Sequence, residues 1–235
     1  MTAPRANPVF LAVDTVVLAE ARALVEAVAP AIGGLKLGLE FFNRHGLAGV
    51  AALIGDLPLF LDLKLHDIPN TVAGAVRAIE AARPSLLTIH ASGGGAMIRA
   101  ARAAADPATR ILAVTVLTSL DEVDLRTVGQ STPLGDQVKR LAALAQESGA
   151  DGVVCSPWEV ASLRSQCGPD FILVVPGIRP VGSALGDQKR VMGPAAAIAA
   201  GASLLVIGRP ISAAPDPRAA AAAIAHELGL AEPVS

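Results

Sequence analysis

The chain of 235 residues is 52% hydrophobic and carries a formal net charge of −2. That length fits a single α/β domain spanning residues 1–235, and the hydrophobic content excludes disorder for the bulk of the chain. The net charge provides no basic field for a nucleic-acid backbone, whereas a small anionic ligand needs only local positive charge.

Eight short apolar runs alternate with longer Ala- and Leu-rich stretches along the chain. The predicted strands are 9–14, 35–38, 59–64, 86–90, 111–117, 152–155, 171–175 and 204–207. The predicted helices are 18–28, 40–54, 71–82, 95–104, 134–148, 158–165, 195–200 and 217–228. This alternation predicts a parallel sheet covered by helices, and eight units favour a single closed (β/α)8 TIM barrel, with a doubly wound open sheet as the alternative.

Charged residues interrupt the first three predicted strands. Side chains alternate along a strand, so Asp62 and Lys64 should face the barrel axis while the leucines between them face the helices. By the same rule Lys36 points inward, and Asp14 ends the first strand. A barrel interior is normally apolar, so these four charges should meet at its open C-terminal end, where alternating signs keep the lysines charged. An ion-pair network that only fixes strand register is the structural alternative, but such pairs stabilise a fold weakly.

Asp67 follows Lys64 by three residues, beyond the end of the predicted strand. It is a candidate site residue, although it would also suit the cap of the helix that the chain enters through Pro69. The intervening His66 is predicted to face the outer or loop side and is assigned no role.

Two loops carry the pattern of a phosphate site. The connection 176–192 is long for a compact domain, which is typical of a functional lid, and it contains Arg179 and Gln188. The eighth strand ends in Gly208 and Arg209, where glycine permits close backbone approach and arginine supplies charge. In TIM barrels the loops after strands seven and eight commonly bind phosphate, so a phosphorylated ligand is predicted.

The remaining features favour a cytoplasmic protein. Residues 1–8 are polar and lack the apolar stretch of a signal peptide. Cys155 and Cys167 lack metal-binding spacing and are expected to be free thiols. The uncharged run 192–208 has the length of a marginal membrane span, but glycine and proline interrupt it, so a short helix and a buried strand are predicted instead.

Residues 62–71, DLKLHDIPNT, resemble the D-x-K-x-x-D-[IV]-P-x-T signature of the orotidine 5′-monophosphate decarboxylases. The resemblance, closest to the bacterial branch, extends over most of the chain through segments 12–14, 35–36, 116–119, 153–156, 175–180, 187–191 and 206–209. It implies a TIM barrel that makes UMP in the last step of de novo pyrimidine biosynthesis, with neither cofactor nor metal. It also implies a homodimer with shared active sites.

The resemblance further implies a role for each matched residue. Lys64 would protonate C6 of the pyrimidine, and Asp62 would face the substrate carboxylate. Asp14, Lys36 and Thr118 would contact the ribose, and Asp67 and Thr71 would reach the partner subunit's site. Ser156 would contact the pyrimidine amide. The phosphate would be bound by Gln188, Arg209 and the loop bearing Arg179, and Gln188 would also reach the base.

Two other functions remain as alternatives. Magnesium-dependent enzymes of the same suprafamily, 3-keto-L-gulonate 6-phosphate decarboxylase and hexulose 6-phosphate synthase, share the D-x-K-x-x-D core. They need a further carboxylate on the second strand, for which Glu40 is the only candidate, and residues 68–71 and Gln188 favour the orotidylate enzymes. A non-enzymatic phosphometabolite-binding barrel would retain Arg209 but would not need the inward charges.

Overall fold

Parallel strands close into a barrel in chain order in the computed structural model, which describes residues 7–130, 132–180 and 192–230. The strands are β1 (Val9–Val13), β2 (Gly34–Gly38), β3 (Leu59–Leu65), β4 (Leu86–His90), β5 (Arg110–Val114), β6 (Gly152–Val154), β7 (Ile172–Val175) and β8 (Leu204–Ile207). Strand β1 pairs with both β2 and β8, which closes the sheet. The predicted barrel is therefore confirmed, and the open doubly wound sheet is wrong.

Helices follow the strands and cover the outside of the barrel. They are α1 (Leu18–Val28), α2 (Leu39–Ile54), α3 (Pro69–Ile79), α4 (Gly94–Ala104), α5 (Glu122–Thr127), α6 (Leu134–Glu147), α7 (Val160–Cys167), α8 (Pro194–Ala199), α9 (Arg209–Ser212) and α10 (Pro217–Glu227). Helix α3 shows why they form, because it buries Val72, Val76 and Ile79, which recur on one face at helical spacing. Proline begins α3, α8 and α10, where its missing N–H costs nothing.

Two short helices were not predicted. Helix α5 has six residues, too few for a periodic pattern, and it depends on a capping box in which Asp121 accepts from the backbone of Asp124 while Asp124 accepts from Asp121. Helix α9 has four residues directly after β8. The predicted fifth strand was also too long, since β5 ends at Val114 and the chain then leaves the barrel.

The core has two layers. The larger lies between the barrel and the helices. The smaller, which we call the interior plug, fills the barrel and consists of Phe10, Ala12, Phe60, Leu86, Leu112, Val174 and Val206. Phe10 and Phe60 meet edge to face, with ring centroids 6.2 Å apart.

The two cysteines and the uncharged run 192–208 are parts of this fold. Cys155 and Cys167 are free, as predicted, and both are buried. The uncharged run divides into α8 and β8, also as predicted. Within the described ranges, every helix is too short or too polar to cross a membrane.

Arg164 on α7 joins the segments that lead into β7 and β8. Its guanidinium donates to the carbonyl oxygens of Gly168 at 2.6 Å, Phe171 at 2.8 Å and Gly201 at 2.8 Å. It also donates to Ser203 Oγ at 2.9 Å. Gly201 has φ +111°, and a Cβ there would lie 2.9 Å from Arg164 Cγ, so this close packing requires glycine.

Candidate active site

A cavity of about 260 Å³ opens at the carboxyl ends of the strands, above the interior plug. This is the end of a TIM barrel at which catalytic residues lie. The predicted site residues that line it are Asp14, Lys36, Asp62, Lys64, Thr118, Arg179, Gly208 and Arg209. Phe60 and Val206 of the plug form part of its wall. The structure therefore brings together residues of β2, β3 and β8, of the loops after β1, β5 and β7, and of the turn from β8 into α9.

Strand β3 directs two charges into the cavity. Leu61 and Leu63 are 0% and 7% exposed under the helices, while Asp62 and Lys64 face inward, as alternation predicted. Lys64 has a left-handed φ of +48°, which costs about 1–3 kcal/mol for a residue other than glycine. The pairing with β4 shifts here, since Leu61 pairs with Leu87 but Leu65 pairs with Ile89. The end of β3 is thus a bulge, a device that redirects side chains beside active sites.

Asp62 lies at the centre of a charge array. Its Oδ1 is 2.7 Å from Lys64 Nζ, and its Oδ2 is 3.5 Å from Lys36 Nζ. Burial alone would raise the pKa of Asp62, but the charges of Lys36 and Lys64 and hydrogen bonds from Lys64 and Thr88 outweigh burial and lower it. Asp62 is therefore ionised at neutral pH, and the array holds one anion between two cations.

Asp14 stands at the cavity mouth, just beyond β1. Partial removal of water raises its pKa, and the charges of Lys36 and Arg209 oppose that rise. Gly208 passes close beside it, since a Cβ at Gly208 would lie 2.5 Å from Asp14 Oδ2 and 3.3 Å from Ala12 Cβ. A side chain at position 208 would thus have to displace the Asp14 carboxylate, and Arg209 begins the helix that follows.

The two ends of the long connection after β7 are hydrogen-bonded to each other. Ile178 forms a bridge with Met192, and the N–H of Arg179 donates to the carbonyl of Met192 at 3.0 Å. Arg179 is half-buried and lines the cavity. Gln188 lies outside the described residues.

Asp67 and Thr71 lie on the outer surface, at the start of α3, away from the lining of this cavity. The Asp67 carboxylate accepts the N–H of Ile68 at 2.7 Å. The residue that caps α3 is Ile68, without a side-chain cap, so the alternative that Asp67 caps this helix is wrong.

Ser156 is fully buried and forms a capping box with Glu159 at the turn before α7. Its hydroxyl accepts the N–H of Glu159, and the Glu159 carboxylate accepts the N–H of Ser156 at 2.8 Å. The neighbouring Val154 and Cys155 line the cavity. Ser156 is therefore one residue removed from the cavity wall in the structure.

Two residues of β4, Thr88 and His90, lie near the charge array but were not predicted as site residues from the sequence. Thr88 is completely buried and bonds to Asp62, although it stands in an apolar run. His90 packs on His66 with ring centroids 5.2 Å apart, and its pKa is lowered by burial, by His66 and by Lys64. A polar residue at an inward position of a buried strand was the available signal for Thr88.

A family model described as "Orotidine 5′-phosphate decarboxylase / HUMPS family" matches residues 7–224. The orotidine 5′-phosphate decarboxylase of Paramagnetospirillum magneticum is 57% identical over 233 residues, which cover 95% of this chain and 99% of that protein. The protein of the same name from Thermobifida fusca is 56% identical over 225 residues, covering 95% and 96%.

Solved structures give the same picture. The crystal structure of orotidine 5′-phosphate decarboxylase from Lactobacillus acidophilus superposes with a TM-score of 0.82 at 36% identity, covering 94% of this chain and 99% of that one. An uncharacterized conserved protein from Geobacillus kaustophilus has the same TM-score, 0.82, at 36% identity, covering 94% and 100%.

Proposed function

Because this chain belongs to the orotidine 5′-phosphate decarboxylase / HUMPS family, we propose that it is a carboxy-lyase that converts orotidine 5′-monophosphate to UMP in pyrimidine biosynthesis. Residues 1–235 would act as one domain. The observation that supports this most directly is the Lys36–Asp62–Lys64 array inside the cavity. Relatives 57% and 56% identical over nearly their whole length carry the name of this enzyme rather than of a sugar-phosphate enzyme.

In the proposed reaction, the bond between C6 and the carboxylate breaks and its electron pair remains on C6. Carbon dioxide leaves, and a proton moves from Lys64 Nζ to C6. The pair lies in the ring plane, where the π-system cannot delocalise it, so a fixed cation beside C6 is the effective stabiliser. Lys64 is well placed for this, since Asp62 holds its ammonium at 2.7 Å. Water then returns a proton to the lysine.

Asp62 would act on the ground state. A bound substrate places its carboxylate near the ionised Asp62, and the two anions repel each other. Loss of carbon dioxide removes that repulsion, so the transition state is favoured relative to the bound substrate. The lowered pKa of Asp62 supports this role, because a protonated acid would not repel the substrate.

Binding energy would come from groups remote from C6. Arg209, Gly208, Arg179 and Gln188 would hold the phosphate, and Gln188 would also reach the base. Asp14, Lys36 and Thr118 would contact the ribose. Ser156 would contact the pyrimidine amide, as the resemblance to the family implies.

We further propose that the working unit is a homodimer in which Asp67 and Thr71 complete the partner's site. Both residues are exposed where β3 leads into α3, and Ile68 between them is an aliphatic residue 67% exposed. A two-fold interface over this surface would place each pair at the other subunit's cavity.

The test is the change in ultraviolet absorbance as orotidylate is converted to UMP by the wild-type protein, Lys64→Ala and the matched surface variant Lys139→Ala. We expect Lys64→Ala to lose at least about 10⁴-fold in kcat while it still binds UMP, because it loses both the proton donor and the fixed cation. Lys139 is exposed on α6, and its substitution should leave kcat unchanged. Near-normal turnover by Lys64→Ala would overturn the mechanism.

The same assay separates the magnesium-dependent alternative. Glu40, the carboxylate which that chemistry would need, lies exposed in the first turn of α2. Undiminished turnover of orotidylate in excess chelator supports the proposed reaction, whereas loss of activity that magnesium restores would favour the alternative. A protein that binds orotidylate without converting it would be a phosphometabolite-binding barrel.

A further inference from the structure

The bulge in β3 lies opposite a single residue of β4. Leu61 pairs with Leu87 and Leu65 pairs with Ile89, so three residues of β3 lie opposite Thr88 alone. A bulge of this kind interrupts the backbone ladder and leaves amide groups to find other partners. One of the residues in the bulge is Lys64, at φ +48°.

The hydroxyl of Thr88 replaces the interrupted ladder. The N–H of Lys64 donates to Thr88 Oγ1 at 2.9 Å, and Thr88 Oγ1 donates to Asp62 Oδ1 at 3.0 Å. The same Oδ1 accepts from Lys64 Nζ at 2.7 Å. The backbone of Lys64, the buried hydroxyl and the Asp62 carboxylate therefore form a closed loop of hydrogen bonds that returns to the Lys64 ammonium.

This loop constrains the two quantities on which the chemistry depends. It stabilises the left-handed backbone of Lys64, which sets where the ammonium points. It also orients the Asp62 carboxylate, which sets the distance between the anion and the ammonium. Thr88 is 0% exposed, so water has no access to take its place.

We propose that Thr88 is a positioning residue for the decarboxylation, which sets the relative placement of Lys64 and Asp62 through its hydroxyl. This inference rests on the proposed function. Thr88 is buried behind the lining of the cavity, where it would not touch a bound substrate, so its effect should fall on kcat rather than on KM.

The first test compares two variants. Thr88→Val keeps the shape of the side chain and removes the hydroxyl, whereas Thr88→Ser keeps the hydroxyl. We expect Thr88→Val to lower kcat about 10- to 100-fold, the range for loss of a hydrogen bond to a charged group, with KM within about threefold of wild type. Thr88→Ser should recover kcat to within about threefold of wild type.

A second readout is the pH profile. The groups that face Asp62 are Lys36 on β2, Lys64 on β3 and His90 on β4. Thr88 donates to the ionised form of Asp62, so its hydroxyl favours that form. In Thr88→Val the acidic limb of kcat should therefore move to higher pH, and in Thr88→Ser it should stay where the wild type has it. A purely structural defect would lower activity without moving the limb.

Thr109→Val is the matched control. Thr109 is 4% exposed, and its hydroxyl donates to the carbonyl of Pro84 at 2.7 Å, at the opposite end of the barrel. It should cost stability but leave kcat and the pH profile unchanged. If Thr88→Val does not fold, the pair Thr88→Ser and Thr88→Ala gives the same comparison, since they differ by one hydroxyl.

The outcomes are distinguishable. A wild-type protein that does not convert orotidylate overturns the proposed function itself. An active wild type with an equally active Thr88→Val overturns the positioning role alone. A serine variant as impaired as the valine or alanine variant, or a Thr109→Val with the same kcat loss, also overturns it.

Discussion

At the scale of single residues, Arg209 is a positive charge of the site that lies apart from the Lys36–Asp62–Lys64 array. It begins α9 beyond Gly208, at the cavity mouth, whereas Lys64 lies on β3 beside Asp62. In the proposed reaction Arg209 binds the phosphate, so it should act through substrate binding and not through the proton transfer.

Arg209→Ala should lower kcat/KM for orotidylate about 10- to 100-fold, because a hydrogen bond between charged groups is lost. The measurement compares orotidylate with orotidine, which lacks the phosphate, in the wild-type and variant proteins. The variant should lose little with orotidine. Equal losses on both substrates would show that Arg209 does not act on the phosphate.

The sequence predicted the charged residues of the cavity because strand alternation is a strong rule. Asp62, Lys64 and Lys36 face inward as expected, and glycine with arginine marked the end of β8. The same rule marks Thr88 as an inward polar residue, but its role could not be predicted, since that role depends on a bulge in the neighbouring strand. The turn that buries Ser156 is likewise a local capping geometry that strand alternation does not describe.

At the scale of secondary-structure elements, Arg164 connects two segments at the end of the barrel opposite the cavity. It donates to several carbonyl oxygens of the segments before β7 and β8, which would otherwise lack these partners. The N-terminal face of a TIM barrel serves stability, while the C-terminal face serves chemistry. Substitution here should therefore separate the two properties.

Arg164→Met should lower the free energy of unfolding by about 2–4 kcal/mol, since it keeps the aliphatic stem but removes the donors to several partly buried carbonyls. Urea unfolding measures this, and steady-state kinetics should show unchanged kcat and KM. Arg140→Met, on the exposed face of α6, is the control and should be neutral. A kinetic defect in a folded Arg164→Met would contradict the division between the faces.

Elements long enough for a periodic pattern were predicted within a few residues, because apolar spacing determines which face is buried. Elements held by local hydrogen bonds were not. Helix α5 depends on the capping box of Asp121 and Asp124, and helix α9 has only four residues. The irregular end of β3 also left no pattern, since its cause is the pairing with β4.

The proposed homodimer gives a prediction at the scale of the whole molecule. Lys64→Ala and Asp67→Ala should each be inactive alone. If Asp67 serves the partner's site, mixed subunits form a heterodimer in which one site carries both lesions and the other carries none. Random exchange yields about half heterodimers, so roughly a quarter of wild-type activity should return. The measurement is the orotidylate assay before and after subunit exchange.

The contrary result is equally clear. If Asp67 serves the site of its own subunit, every site in the mixture carries one lesion and no activity returns. Exchange must be shown independently, by a mass or affinity tag on one variant. No recovery in a mixture with proven exchange would refute the shared site.

The interior plug gives the barrel a floor. Phe10, Phe60 and Leu112 fill the barrel below, and the cavity lies above them, at the carboxyl ends of the strands. In the proposed reaction, substrate, carbon dioxide and product would share this opening, which Pro176, Gly177 and Arg179 border. Passage through a shared opening is sequential: a new nucleotide cannot enter until the previous one has left. The rate of each turnover then depends on product release as well as on the chemical step.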